Sequence, residues 1–345
     1  MKVTPRVRGS TSAVCLAALL GVVLLLIVTA YFPFQWDPPR VVRNDVTRSA
    51  GGSLRFGEMN EARTPGTPGW LADARKSGIV QIKLEVAPQS SQEQSPASIM
   101  MLASDFWHTD FAIGQNHSEL LVWLRRPGSD ANGNPPFALG GALQPRRWNR
   151  VDVMLLGDGI RIDVNGTRRL TEQLPTDSLR VWGTGRVALG GEVDGGGPWQ
   201  GKIRQAEVRT PGHAVDYIRP GALSIPAYHL YLPDHIAPFP PLGRGEWEAL
   251  FLHLLSFIPV GFLIVWARRP PVRPVPAVLL AAALAVVLAV GKFLFHGRHT
   301  DVADILVQSA GALLGALLAW RWAHRRAQEP PDSPHMTGIP ALAVA

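Results

Sequence analysis

The chain has 345 residues, of which 46% are hydrophobic and 18% charged, with a formal net charge of +7. That length suffices for two ordinary domains, and the apolar content leaves room for several membrane spans. A single cysteine excludes an intramolecular disulfide, and the basic excess, partly gathered beside apolar runs and otherwise scattered, excludes nucleic acid as the partner.

The first predicted element is an apolar run from Ser12 to Pro33, near the ~20 residues that cross a bilayer core. Lys2, Arg6 and Arg8 precede it. A cleaved signal peptide has the same basic start. The run is long for a signal sequence, however, and Tyr31, Phe32, Pro33 and Trp36 read as an interfacial aromatic anchor, so a retained helix is the expectation. Cys15 is expected to face lipid.

The region 50–210 reads as short strands separated by Gly, Pro, Asn and Asp turns, with no long helical period. Strands are predicted at Ser77–Ala87, Ser98–Leu102, Glu119–Arg125, Asn149–Leu156, Gly159–Val164, Arg186–Gly191 and Trp199–Arg209. Asp158-Gly159 signals a hairpin and Asn165-Gly166 a second tight turn. Together these predict a β-sandwich of roughly eight or more strands. The runs Phe111 to Gln115, Trp148 to Gly166, Arg186 to Glu192 and Pro198 to Val208 resemble a laminin-G or concanavalin-A-like jelly roll. The resemblance implies a fold shared by lectins, glycan hydrolases and adhesion modules, and does not choose among them.

A glycosidase needs two carboxylates about the scissile bond. Glu192-Val-Asp194 is similar to the start of the E-x-D-x-x-E motif of jelly-roll glucanases, but Gly197 stands where the second glutamate belongs. No hydrolase is therefore expected. Glu192 and Asp194 are also the residues that could help hold Ca²⁺ or line a glycan site, with a solvated glycine-rich turn as the plainer reading. Trp107, Trp123, Trp148, Trp182 and Trp199 offer aromatic faces to carbohydrate, although core or edge packing is expected for most. Asn116-His-Ser118 and Asn165-Gly-Thr167 fit a glycosylation pattern that carries no weight in a chain read as bacterial. The Pro-rich region 211–245, with Tyr228, Tyr231 and Phe239, reads as an ordered connector.

Three further apolar runs, Ala249–Ala267, Val275–Phe295 and Val302–Trp322, predict an α-helical transmembrane bundle. Short cytoplasmic flanks are enriched in Lys and Arg. Arg268, Arg269 and Arg273 lie between the second and third runs, and Arg321, Arg325 and Arg326 follow the fourth. Together with the cluster before the first run they share one side. Both termini are then cytoplasmic and the β-sandwich lies outside.

At roughly 100° per residue, Asp301, Asp304, Gln308, Gly311 and Gly315 fall within about an 80° arc of one face of the last helix. This stripe should face protein, with the leucines facing lipid. On the third run Ala281, Ala285, Ala289, Lys292 and His296 share a face, and on the second Glu246, His253 and Ser256 share another. Lys292 is expected to pair with Asp301 or Asp304, and Arg298 to satisfy the other carboxylate or meet lipid phosphate. His296 and His299 lack a third ligand, so no metal is expected. The cluster has two readings: a salt-bridged clamp that locks three helices, or a polar pocket for an anionic head group or glycan precursor.

From Trp247 to Trp322 the chain resembles the VanZ-like family of small bacterial membrane proteins, named for a protein associated with low-level resistance to the glycopeptide teicoplanin. His253-Leu-Leu-Ser-Phe257-Ile-Pro259-Val-Gly261-Phe-Leu263 is similar to the family's N-x-x-x-F-x-P-x-G-F-L block. Gly297-Arg298, followed by Asp301, Asp304, Gln308, Gly311 and Gly315, is similar to its G-R-x-x-D-x-x-D-x-x-x-N-x-x-G-x-x-x-G pattern. His253 and Gln308 stand where Asn is usual, and Ala289-Val-Gly-Lys292 replaces E-x-x-Q, which removes a carboxylate.

The sequence thus predicts a multi-domain membrane protein, an all-β jelly-roll sandwich (concanavalin A-like) joined to an α-helical transmembrane bundle. Its parts are a cytoplasmic N-terminus and first helix over 1–34, the sandwich over 50–210, the connector over 211–245, a VanZ-like unit of three helices over 246–324 and a disordered cytoplasmic tail over 325–345. The expected role is that of a non-enzymatic, multi-pass bacterial inner-membrane protein binding a glycan or anionic envelope component in surface-polysaccharide biology. Its expected partners are the lipid bilayer and a glycan or anionic lipid head group, and it needs no cofactor unless Glu192 and Asp194 hold Ca²⁺. The alternatives are a small carrier or glycopeptide-resistance factor acting on an envelope lipid or drug, and a glycan hydrolase.

Overall fold

Two units make up the chain, one of Phe34–Pro241 with Phe293–Thr300 and the other of Met1–Pro33, Leu242–Lys292 and Asp301–Ala345. The computed structural model describes residues 8–90, 96–105, 107–193, 197–232, 236–237, 244–267, 274–296, 298 and 300–328.

In the first unit, strands with alternating apolar and polar residues build two antiparallel sheets. The larger runs in the order β11 (Thr167–Gln173), β10 (Gly159–Val164), β9 (Asn149–Leu156), β4 (Val80–Pro88), β13 (Gly201–Arg209), β3 (Leu54–Phe56) and β2 (Thr47–Arg48), with β14 (Ala214–Asp216) also paired to β13. The smaller runs β12 (Arg186–Leu189), β5 (Ala97–Asp105), β6 (His108–Asn116), β7 (Glu119–Leu124) and β8 (Phe137–Leu139). A separate ribbon pairs β1 (Arg40–Arg43) with β15 (Tyr228–Tyr231).

Strand β4 shows the logic of the sandwich. Val80, Ile82, Leu84 and Val86 are buried, while Gln81, Lys83 and Glu85 between them reach the outer face. Each such aliphatic burial is worth about 1.5–3 kcal/mol. The two inner faces meet in one core with Phe56, Phe111, Trp182 and Trp199. The buried indoles keep hydrogen-bond partners: Trp199 Nε1 donates to Gln115 Oε1 at 2.7 Å, Trp182 Nε1 to the Arg125 carbonyl at 3.1 Å and Trp70 Nε1 to the Tyr217 hydroxyl at 2.7 Å. Burial pushes the Tyr217 pKa up to about 12. Trp182 and Trp199 are therefore core residues and offer no platform to carbohydrate.

The turns follow their residues. Asn165 and Gly166 take φ of 53° and 80° between β10 and β11, the left-handed pair that a two-residue hairpin demands. The β9–β10 hairpin turns one residue earlier than predicted, on Gly157-Asp158, because Gly159 already pairs with Leu156. A short helix, α2 (Trp70–Ser77), was not expected. It buries Trp70, Leu71 and Ala74 on one face and is capped by Gly78 at φ 70°, so the strand predicted from Ser77 starts only at Val80.

The second unit contains α1 (Arg8–Tyr31), α3 (Arg244–Ala267), α4 (Pro274–Lys292) and α5 (Val302–Gln328). They include four stretches long and apolar enough to cross a membrane: Ala13–Tyr31, Trp247–Ala267, Pro274–Lys292 and Val302–Arg325. At most 39% of any stretch is buried within the protein, which leaves apolar flanks for lipid.

Small residues bring α3 and α5 together. A Cβ at Gly315 would lie 1.9 Å from the Ile258 carbonyl oxygen, one at Gly311 2.1 Å from that of Leu254 and one at Gly261 1.9 Å from that of Ala312. The two backbones touch along this seam. On α4 the four-residue ladder Ala277, Ala281, Ala285 and Ala289 is buried, and on α5 Leu306, Leu313, Leu314 and Leu318 are exposed.

Two expectations are corrected in these segments. Cys15 is buried, because it shares the four-three-four spacing of Leu19, Val22 and Leu26, the stripe by which α1 packs on the other helices. His296 does not extend the α4 face, since that helix ends at Lys292. Its amide donates to the Gln35 carbonyl at 2.9 Å, and its Nδ1 lies 3.8 Å from Asp37 Oδ2.

Candidate functional sites

Three helices each send one titratable side chain to a common point in the helical unit. His253 comes from α3, Lys292 ends α4, and Asp304 sits in the first turn of α5. Asp304 Oδ1 accepts a hydrogen bond from His253 Nδ1 at 2.7 Å, and Oδ2 accepts one from Lys292 Nζ at 3.1 Å. Asp304 is 7% exposed, and Gln308, one turn on, is 8% exposed. Lys292 and Asp304 carry opposite charges, and the acid also meets the positive end of the α5 dipole. What this arrangement does chemically is tie three helices with a carboxylate whose two oxygens are both engaged.

Of the residues singled out from sequence, the structure therefore brings together His253, Lys292 and Asp304, with Gln308 buried below them. Asp301 is half-buried immediately before α5. Arg298 belongs to the segment Phe293–Thr300, which groups with the β-sandwich. Gly297 and His299 lie outside the described residues.

A second site lies on the face of the five-stranded sheet turned away from the core, where a cleft of about 210 Å³ is floored by Met101, Ala112 and Trp123 and edged by Ser98, Thr109, Asn132, Asn134 and Glu192. Trp123 lies flat on the sheet because its neighbour is Gly114, where a Cβ would come 2.8 Å from the indole Cζ3. The indole Nε1 donates to Asn134 Oδ1 at 3.1 Å. Asp130 holds the loop that carries this partner: its Oδ1 accepts from the amides of Asn132 and Asn134 at 2.9 and 2.8 Å, and its Oδ2 from Asn134 Nδ2 at 2.9 Å. Burial alone would raise the Asp130 pKa, but the Asn134 side chain and the amides of Asn134, Asn132 and Gly133 outweigh it and leave the carboxyl below its ordinary value. A half-buried indole ringed by amides and hydroxyls suits a sugar, whose apolar face can rest on the ring while its hydroxyls meet the polar rim.

Glu192 lines this cleft, but the glucanase-like motif does not complete itself there. Gly197 has φ 53°, and a Cβ on it would lie 2.8 Å from Glu192 Oε1. The position that lacks the second glutamate has a left-handed backbone, which a glutamate would adopt only under strain. Asp194 lies outside the described residues. Among the described residues there is no group of three or more His, Cys, Asp or Glu side chains placed to hold a metal ion. Asp130, Asn132 and Asn134 were missed in the sequence; their only signal is the turn-rich string Asp130-Ala-Asn132-Gly133-Asn134.

Solved structures similar to this chain include the Ruminococcus gnavus IT-sialidase CBM40 bound to alpha2,3-sialyllactose, at 15% identity over 44% of this chain and 86% of that one, with a TM-score of 0.34. Domain 4 of AbnA, a GH43 extracellular arabinanase from Geobacillus stearothermophilus, in complex with arabinotriose, is similar at 13% identity over 53% and 85%, with a TM-score of 0.34. The binding domain of botulinum neurotoxin DC in complex with rat synaptotagmin II is similar at 12% identity and a TM-score of 0.34, over 49% of this chain and 42% of that one. This chain thus spans less than half the length of the toxin domain it matches. No curated protein matches the sequence. The family model VanZ/LLP1 matches 216–323, a stretch that takes in β15 as well as α3, α4 and most of α5. The chain thus joins a sandwich of two antiparallel sheets to four helices long and apolar enough to cross a membrane, and its similarity to the VanZ/LLP1 family is confined to 216–323.

Proposed function

We propose that this is a non-enzymatic bacterial inner-membrane protein whose β-sandwich, outside the membrane, binds an envelope glycan in the cleft at Trp123. The orientation rests on the three basic clusters, which put both termini in the cytoplasm. The observation that carries the reading is the Trp123–Asn134–Asp130 arrangement, an indole fixed by a rigid polar loop at the mouth of a cleft. A binding role is favoured over hydrolysis because Glu192 is the one carboxylate among the described residues lining that cleft, and glycosidic cleavage needs two.

The full-length protein in detergent micelles is expected to bind a subset of neutral oligosaccharides on a glycan array and to leave them uncleaved. Turnover that disappears in Glu192→Gln would contradict the non-enzymatic reading, and selective binding to nothing on the array would remove the glycan. A further expectation concerns pH. Asp130 is held below its ordinary value, so its support of the loop is fully present above about pH 4 and is lost only as pH falls through the lower folded value. Binding by the wild type should therefore be level from neutrality to about pH 4, whereas Asp130→Ala should weaken it across that whole range.

A further inference from the structure

On the outer face of the larger sheet, a second cleft of about 350 Å³ is lined by Arg55, Arg146 and Lys202 together with Gln89 and Trp148. Arg55 on β3 and Lys202 on β13 are direct cross-strand partners, and like charges so placed repel. Among the described residues no carboxylate lines this cleft, and none forms an ion pair with Arg55, Arg146 or Lys202. The acid beside it, Glu85, is already engaged by Arg204 at 2.5 Å, and that guanidinium lies 4.4 Å over the Trp148 ring. Three cations therefore converge with no counter-charge among the described residues.

The wall bearing Arg146 and Trp148 is rigid. Asn149, 1% exposed, accepts from the Gln144 amide at 2.9 Å and donates to the carbonyls of Gln144 and Arg147 at 2.9 and 2.8 Å. Arg146 itself takes φ 58° and donates its amide to the Pro88 carbonyl at 2.7 Å. A loop fixed in this way presents its groups without ordering cost on binding. Trp148, 37% exposed, adds an apolar ring beside the charges.

We infer that this cleft is a binding site for an acidic saccharide, whose carboxylate or phosphate meets Arg55, Arg146 and Lys202 while its ring packs on Trp148. Arginine forks suit such oxyanions. A nucleic acid strand fits less well, since it needs a groove with successive stacking platforms, and this cleft holds one indole. The site is separate from the Trp123 cleft and stands whether or not that cleft binds glycan.

The test uses the full-length protein in micelles, titrated calorimetrically with tetragalacturonate and with mannose 6-phosphate. Maltotetraose, glycerol phosphate and a hexathymidylate serve as comparators. At least one acidic sugar should bind, more weakly as salt is raised, and should bind more tightly than any comparator. Arg55→Gln combined with Lys202→Gln should weaken that binding tenfold or more, and Trp148→Ala should also weaken it. All three side chains are exposed, and an unchanged unfolding transition checks the fold. Trp123→Ala should leave this affinity unchanged. No binding of either acidic sugar, equal affinity in the double variant, or tighter binding of glycerol phosphate or the oligonucleotide would overturn the assignment.

Discussion

Replacing Asp304 with Ala is expected to destabilise the helical unit by about 3–5 kcal/mol, the loss typical when one partner of a buried ion pair is removed. The variant leaves the Lys292 ammonium without its 3.1 Å partner and His253 without its 2.7 Å acceptor. Both losses fall inside a helix bundle, where an uncompensated cation has few alternatives. Lys292→Met should cost less, because Asp304 keeps His253. The double variant Asp304→Asn with Lys292→Met should recover most of the stability lost by Asp304→Ala, since it removes charge in pairs. Unfolding in detergent, followed by the loss of the monodisperse species, measures all of these. Were Asp304→Ala as stable as the wild type, the cluster would be no clamp, and a ligand-handling role for it would gain.

Gly315→Val should be similarly damaging for a different reason. The new Cβ would sit 1.9 Å from the Ile258 carbonyl oxygen, and the obstacle is backbone, which cannot rotate aside. Overpacking a well-packed core costs about 1–3 kcal/mol, and a backbone clash belongs at or beyond the upper end. Relief requires α3 and α5 to separate, which also opens contacts at Gly261 and Gly311. Gly315→Ala should do measurable harm for the same reason, whereas Gly21→Ala, where a Cβ meets nothing within 4 Å, should be silent. Disulfide trapping between cysteines placed along α3 and α5 would show the separation as a loss of cross-linking yield. Undiminished cross-linking in Gly315→Val would contradict the close approach.

These two expectations rest on features that were legible in the sequence, because hydropathy and helical spacing act locally. The stripe Asp304, Gln308, Gly311 and Gly315 could be placed on one face by angle alone, and the limits of β9 and β10 agree with the alternation that predicted them. Other features depend on contacts that spacing does not encode. Trp182 and Trp199 look like Trp123 and Trp148 in sequence, and only tertiary packing sorts core indoles from those that reach the surface. The apolar run through Phe293, Leu294 and Phe295 hid the end of α4, because hydropathy continues where the helix does not. Phe295 instead meets Trp36 through a backbone bridge, with their rings 5.5 Å apart. The loop at Asp130 was silent because its role comes from hydrogen bonds within a turn, and those residue types are common in any turn. Glu192, singled out as a residue that could help hold Ca²⁺ or line a glycan site, lies at the rim of a cleft floored by an indole.

Glycan binding turns on the Trp123 cleft. For a neutral oligosaccharide selected on the array, the affinity of the full-length protein should fall at least tenfold in Trp123→Ala, a difference of about 1.4 kcal/mol or more. Trp148→Ala, measured alongside, should bind the same oligosaccharide as the wild type does. Equal affinity in Trp123→Ala and the wild type would rule out glycan binding on Trp123.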